Sequence, residues 1–494
     1  MKPRSPVIAI IGAGSFSHGK KLLDDLLSVE ELHSSEIRLM APHMDHLRVV
    51  SRYAARVVDF NHLAVRIVST TDRSEALQKA NYVIGLFDVG GFPAFDADYR
   101  IACEYGLDLC IGDSAGPTGI MKALRNAVVL RELAADISTL CPDALYLSYT
   151  NPMAVTMMAA DAFGLRRAVG LCGGVEATRR TIAACLGCKP GELDVDFAGI
   201  NHMCWALSIR QDGEERYSLF RKKLAEPAFL TSERVRFEVM QQFGYFVTET
   251  SGHLSDFFPW FRSDKVLLRR YCSVEGYSGA KGAFHKYAQF VQRQIGQLDY
   301  LQFEEGKLPE PSDDYGARII GALETGSAYR FVGNVMNRDG SLPNLPRDCC
   351  VEIPVETGAY GLVAPQLAPL PPQLAALAMT NVISQRLTLD AIMSSDPELV
   401  FAAIAVDPLT SATLDLPRMR EMTGKLLAAN SRFMPEIAEK GLRPTIAVKG
   451  SYIEEPAIDG QDSLFEIIRE FHRMRQIRQG ANPEQSPGSP PQNQ

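Results

Sequence analysis

Hydrophobic and polar positions along the first part of the chain switch repeatedly between a strand period and a helix period. Val7 to Ile11 is a short apolar run that ends in Gly12-Ala13-Gly14, and Lys20 to Val29 carries leucines at helical spacing. The opening therefore predicts a strand, a tight turn and a helix. A strand at Ile37 to Met40, a helix over 44–58, an alternating strand at 64–68, a helix over 73–80 and a strand at 82–87 continue that rhythm. After Gly90 and Gly91, a long helical stretch over 119–139 leads to a strand at Leu145 to Tyr149. Alternating strands and helices of this kind build a parallel sheet with helices on both faces. Residues 1–195 are thus predicted to form a Rossmann-like, doubly wound α/β domain. Beyond it, a strand at 196–200 and an antiparallel partner at 204–210 precede mostly helical sequence, which predicts a second, α+β domain over 196–475 for substrate, metal and oligomerisation. The Pro-rich stretches 342–346 and 365–372 carry apolar residues and read as ordered loops. Residues 476–494 are dominated by Pro, Gln, Asn, Ser and Gly and predict a disordered tail.

Composition narrows the partners. The chain has 494 residues, 46% hydrophobic and 22% charged, enough for two or three cores. Its 51 basic against 59 acidic residues leave a net charge of -8, which argues against the clustered Lys and Arg that nucleic acid requires. No apolar run approaches the roughly 20 residues of a membrane span. Lys2 and Arg4 are followed directly by the first strand and its glycines, without the length or cleavage site of a signal peptide, so a cytoplasmic protein is expected. Ten Cys at irregular spacing read as reduced thiols, and Cys185-Leu-Gly-Cys188 has no second pair to complete a zinc site. A small molecule is the expected partner.

Several residues could carry chemistry. Gly12, Gly14, Ser15 and Phe16 sit where a dinucleotide fingerprint belongs, at the start of a helix whose amides can hold a pyrophosphate. Ser17 stands in place of a third glycine, and the second strand ends Met40-Ala41-Pro42-His43 where an acid would meet the ribose 2′-hydroxyl. Without that acid, and with Arg38, His43 and Arg48 nearby in sequence, NADP is expected to be tolerated beside NAD. Cys172 and the pair Asn201-His202 each follow a predicted strand; a thiolate and an imidazole can share a divalent ion, or simply be buried. Asp113, in a Gly/Pro-rich turn over 112–119, suits a general acid or a turn former. Asn151 precedes Pro152 at a strand end. Glu249, His253 and Asp256 lie among aromatic residues between Phe243 and Trp260, the composition of a sugar-facing wall and equally of an amphipathic helix.

The ordered motifs resolve this choice. Ile10-Ile-Gly-Ala-Gly-Ser15, Ile111-Gly-Asp-Ser-Ala-Gly-Pro-Thr-Gly-Ile120, Thr150-Asn-Pro152, Gly170-Leu-Cys172, Gly199-Ile-Asn-His-Met203, Phe243 to His253, Pro343-Asn-Leu-Pro346 and Asp407-Pro-Leu409 run in this order along the chain. From about residue 6 to residue 450 the sequence resembles glycoside hydrolase family 4, the NAD- and manganese-dependent glycosidases related in fold to lactate and malate dehydrogenases. The resemblance implies Cys172 and His202 as metal ligands, Asn151 and Asn201 as sugar-binding residues, Asp113 as the acid near the glycosidic oxygen and Asp256 as the base. It also implies a route through hydride removal at sugar C3, loss of the C2 proton and elimination of the aglycone, in a homodimer or homotetramer. Two departures stand out: Cys172 is followed by Gly173-Gly174-Val175, where many members place His directly after the Cys, and the phospho-sugar pattern is absent. An unphosphorylated hexoside or a uronide is the expected substrate. Other readings are a sugar dehydrogenase of the same fold and a non-catalytic binding relative.

Overall fold

The computed structural model describes residues 5–14, 16–294, 308–358 and 361–445, with the side chains of residues 16–18, 46 and 294 excepted. The predicted tail, 476–494, lies outside the described residues. Among the described residues thirteen strands form one sheet: β1 (Val7–Ile11), β2 (Glu36–Met40), β3 (Arg66–Thr70), β4 (Tyr82–Gly85), β5 (Leu145–Ser148), β6 (Ala168–Gly170), β7 (Leu193–Ile200), β8 (Met203–Gln211), β9 (Glu214–Glu215), β10 (Phe246–Val247), β11 (Arg330–Met336), β12 (Cys350–Gly358) and β13 (Gly361–Val363).

The first six strands are all parallel and lie in the order 3-2-1-4-5-6. This is the doubly wound arrangement, with the chain reversing its direction of travel between β1 and β4. The alternation in β1 explains how it is sandwiched. Ile8 and Ile10 pack with Leu23, Leu27 and Leu47 on one face, while Ala9 and Ile11 pack with Leu130, Leu133 and Tyr146 on the other. Burial of every residue in β4 and β5 follows from helices on both faces.

The sheet does not stop at β6. The antiparallel pair β11 and β12 is inserted next, with Asn334 opposite Gly170 and Glu352 opposite Gly199, and the β7–β8 hairpin continues outward. The boundary expected near residue 195 therefore falls inside β7, and the two halves differ in strand direction while sharing one sheet. β11 and β12 occupy sequence predicted to be mostly helical. Their apolar alternation is broken by fully buried Asn334 and Glu352 and by Pro354, whose polar or imino character hides the strand pattern. The Pro-rich loop over 342–346 is ordered by Asn337, whose amide donates to the carbonyls of Leu342, Leu345 and Pro346 at 3.0–3.1 Å. All ten cysteines are unpaired. Among the described residues no helix is long and apolar enough to cross a membrane.

Candidate active site

The dinucleotide corner is built from backbone. Gly12, at φ +98°, and Ala13 both donate to Met40 O, turning the chain from β1 into the helix Phe16–Ser28. A Cβ on Gly12 would lie 2.5 Å from Leu86 O, and one on Gly19 2.8 Å from Ala13 O. Gly19 thus takes the close-packing role that was sought at residue 17. Ser15 and the side chain of Phe16, both expected to bind cofactor, lie outside the described set. Arg38 is committed elsewhere: its Nε donates to Glu36 Oε1 at 2.6 Å and Nη1 donates to the carbonyls of Glu75, Ala76 and Gln78. Arg48 pairs with Asp45 at 3.4 Å. The expectation that Arg38 welcomes a 2′-phosphate is corrected by these bonds.

Asn151 and Cys172 lie just beyond the ends of β5 and β6, where ligand sites of open parallel sheets gather. Asn201-His202 is the two-residue turn of the β7–β8 hairpin, with His202 at φ +64°. From the far side comes the segment ending β10, with Glu249 at φ +76° and His253 on the short helix Ser251–Leu254, whose Thr250 cap accepts from His253 N at 3.3 Å.

These elements converge on one chain of polar contacts. Asn151 Nδ2 donates to Asp113 Oδ2 at 3.0 Å, and His253 Nε2 lies 3.7 Å from Asp113 Oδ1. His253 Nδ1 lies 3.6 Å from Glu249 Oε2, whose other oxygen is 3.6 Å from Cys172 Sγ and 3.8 Å from His202 Nε2. The imidazoles of His202 and His253 meet edge to face at 4.5 Å between centroids. Lys122 Nζ reaches between Asp88, at 3.5 Å, and Asp113, at 3.9 Å. Two buried nitrogens here, His202 Nδ1 and His253 Nε2, have no hydrogen-bond partner.

Electrostatics assigns protonation states. Burial by itself would raise Asp113, but Lys122, His253 and Ser114 outweigh it and hold the carboxyl well below the usual range. Burial would likewise raise Glu249, yet His202 and His253 bring it down to about 2. Burial opposes the charge on His253, but Glu249 and Asp113 on either side raise it above the ordinary imidazole value. His202 is pushed down to about 4, mainly by burial, and is neutral near pH 7 with its lone pair available. Burial, then Glu249 and Glu352, raise the Cys172 thiol. Its sulfur faces the first turn of the helix Gly174–Leu186, with Gly174 N 3.5 Å away. A cation and the helix N-terminus are the features that favour its thiolate. Cys172, His202 and Glu249 are the group of Cys, His and acidic donors close enough to share an ion among the described residues, with donor atoms within 4.8 Å.

Two expected residues sit differently. Asn201, 4% exposed, turns its amide to Glu352 Oε1 at 3.3 Å, where Asn334 also donates at 2.8 Å. Asp256 interacts electrostatically with His253, yet its oxygens are taken up elsewhere. Its oxygens accept from the backbone N–H groups of Cys110, Ile111 and Gly112 at 2.9–3.1 Å, and Arg262 Nε lies 3.6 Å away. With both oxygens engaged, Asp256 braces the loop that leads into Asp113, a more enclosed setting than its expected role as base suggests. Thr118 Oγ1 closes the same loop by donating to Gly112 O. Sequence reasoning flagged Glu249 and His253 as components of a wall; it had no signal that would place them between Asp113 and Cys172.

Comparison with known proteins agrees with this architecture. The sequence model for Family 4 glycosyl hydrolase matches residues 7–188, and that for the Family 4 glycosyl hydrolase C-terminal domain matches residues 197–410. An alpha-galactosidase of Rhizobium meliloti is 34% identical over 458 residues, covering 90% of this chain and 93% of its own. An alpha-galactosidase of Bacillus subtilis is 34% identical over 435 residues, covering 87% and 99%. Among solved structures, the putative glucosidase lplD of Bacillus subtilis superposes with a TM-score of 0.73 at 23% identity, covering 85% of this chain and 99% of that one. A 6-phospho-beta glucosidase of Thermotoga maritima, solved with manganese, NAD+ and glucose-6-phosphate, gives 0.72 at 20% identity over 86% and 99%.

Proposed function

This chain belongs to glycoside hydrolase family 4, and from that premise we propose that it is a glycosidase cleaving an unphosphorylated α-galactoside with the help of a nicotinamide dinucleotide and a divalent cation, manganese first among the candidates. The observation that carries the reading is the convergence of Asp113, Asn151, Cys172 and His202 into one buried polar cluster with unsatisfied imidazole nitrogens. The galactoside rests on the two alpha-galactosidases that share 34% identity across nearly the whole chain. Lys122, the cation next to Asp113, already faces two carboxylates.

The residues fit both helpers. The β1 turn leads toward the N-terminus of the helix Phe16–Ser28, the kind of helix start that suits a pyrophosphate. Cys172 and the neutral His202, whose Nε2 points toward Glu249 at 3.8 Å, suit a divalent ion. When bound, the dinucleotide accepts and returns a hydride and the cation acts as a Lewis acid on sugar oxygens.

The protein's own groups divide the remaining work. Asn151 orients a sugar hydroxyl while tethering Asp113. His253 lies between the carboxylates of Glu249 and Asp113, which raise it, and its Nε2 is 3.7 Å from Asp113 Oδ1, on the side from which Asp113 can be reprotonated for the departing oxygen. Phe257 packs against both imidazoles, its ring centroid 5.7 Å from that of His202 and 5.5 Å from that of His253.

A chromogenic α-galactoside, an α-galacturonide and a 6-phosphogalactoside, each assayed with NAD and Mn2+ under reducing conditions, test this. Turnover of the galactoside that needs both additions, with solvent deuterium entering the product at C2, is expected. Turnover without any nicotinamide overturns the elimination route, and a preference for the uronide or phosphate overturns the substrate assignment.

A further inference from the structure

We infer that Glu249 is a third protein donor to the divalent cation, so that this chain holds its cation before any sugar arrives. The inference rests on the reading of Cys172 and His202 as cation ligands and extends it, since two protein donors alone would leave most of the coordination to substrate and water.

The first support is distance. Glu249 Oε1 is 3.6 Å from Cys172 Sγ and 3.8 Å from His202 Nε2. Donors that lie about 2.0–2.3 Å from one ion at roughly tetrahedral angles are separated by about 3.5 Å. The His202 separation is long for a direct hydrogen bond, the sulfur contact has the length of a thiol hydrogen bond, and both are suited to a shared cation once the thiol proton is gone.

The second support is that the backbone is bent to deliver this carboxylate. Glu249 sits at φ +76°, a region a non-glycine residue occupies only when its surroundings impose it. The residue after it caps the helix that carries His253, so the Glu249 side chain is fixed between a capped helix and the β7–β8 turn. Its second oxygen faces His253 Nδ1, which orients the first toward Cys172 and His202.

The third support is the glycine pair after Cys172. A Cβ on Gly174 would collide with Glu249 Oε1, whereas one on Gly173 would meet only Asp314 Oδ1 at 3.7 Å. Gly174 is therefore the residue that admits the carboxylate. The space taken by this oxygen donor, from 77 residues further along the chain, lies at Gly174, two residues after the cysteine, and not at Gly173 directly after it. A harder, charged donor beside the thiolate also lowers the net charge of the occupied site and favours manganese over softer ions.

The test uses the full chain stripped of metal, without dinucleotide or sugar. Mn2+ binding is read from loss of the free-ion electron paramagnetic resonance signal, and Co2+ serves as a second probe through its thiolate charge-transfer band. One Mn2+ per chain is expected without sugar. E249Q, which keeps size and fold, is expected to weaken Mn2+ binding by about tenfold or more while leaving the cobalt band at saturation. G174A, which displaces the carboxylate without removing it, should weaken it similarly, and E249D should recover part of the loss. Equal Mn2+ affinity in E249Q and wild type, or wild type that binds Mn2+ only after sugar is added, overturns the inference. The underlying reading fails separately: C172A that keeps both Mn2+ affinity and the cobalt band removes Cys172 as a ligand whatever E249Q does.

Discussion

Asp113 and Asp256 are buried carboxylates on segments that touch, and their surroundings are opposite. Asp256 is closed in by three backbone N–H groups and Arg262, which itself donates to Asp108 and Ser255 and to the carbonyl of Gly279. Asp113 belongs to an open network, in which His253 Nε2 and His202 Nδ1 end without partners. Protein interiors rarely leave buried polar atoms unmatched, so the closed network reads as structure and the open one as a place kept for something else. Residue types alone do not distinguish them, since both are acidic groups beside basic ones.

The largest expected effect separates the two aspartates by stability. Asp256→Ala strips acceptors from three buried N–H groups and a partner from a buried guanidinium, at a cost on the order of 3–5 kcal/mol. Urea unfolding midpoints check this. A variant that unfolds like wild type yet loses turnover would return Asp256 to the reaction.

Asp113→Asn should behave in reverse. Its stability should fall less than that of Asp256→Ala, because Lys122 keeps Asp88 and the amide oxygen can still accept from Asn151. Turnover should fall about 10²- to 10⁴-fold with poor leaving groups and least with nitrophenyl galactosides, whose departing oxygen needs no proton. Equal losses across leaving groups would remove it as proton donor.

A third buried carboxylate sharpens the contrast because it has hydrogen bonds but no cation. Asp407 accepts from Gly116 N and from Thr410, and burial raises it to about 6 from an ordinary 3.8. A raised acid stabilises the fold most below its unfolded value and loses that contribution as pH rises through its folded value. Wild-type stability relative to Asp407→Asn should therefore decline between about pH 4 and 6, by up to about 3 kcal/mol. Unfolding curves across that window measure it, and a flat difference would mean the carboxyl is ionised throughout.

The smallest effect concerns Arg38, whose donors are taken up by Glu36 and three carbonyls. Arg38→Ala should leave the ratio of NADP to NAD affinity unchanged within about twofold, or about 0.4 kcal/mol. Calorimetric titration of both dinucleotides decides, and a large shift would show that the guanidinium swings to the 2′-phosphate.

The sequence was most informative where function and local pattern coincide. Strand, glycine turn and helix are contiguous from Val7 to Ser28, so the dinucleotide corner could be read directly, except that Gly19 does the packing looked for at Ser17. Cys172 and His202 were legible as residues that follow strands, whereas their neighbourhood was not. Glu249 lies 77 residues from Cys172 in sequence and reaches it through a positive φ that no periodicity announces. β11 and β12 escaped because Asn334 and Glu352 put hydrogen-bonding groups where a strand pattern calls for apolar ones. For Asp256 the carboxylate was legible, but the three backbone N–H groups that close it in, from a loop 144–146 residues earlier, were not.

The single sheet has a practical corollary for anyone who would dissect or recombine this protein. β6 finds its outer neighbour in β11, some 160 residues downstream, and β12 is the link to β7. Separating the chain near residue 195 would strand β6 and β11 as raw edges on different fragments, each a template for unwanted pairing. The halves are consequently poor modules: swapping one between relatives transplants a seam whose register both pieces must already share, and such chimaeras should fail at expression before their specificity can be asked.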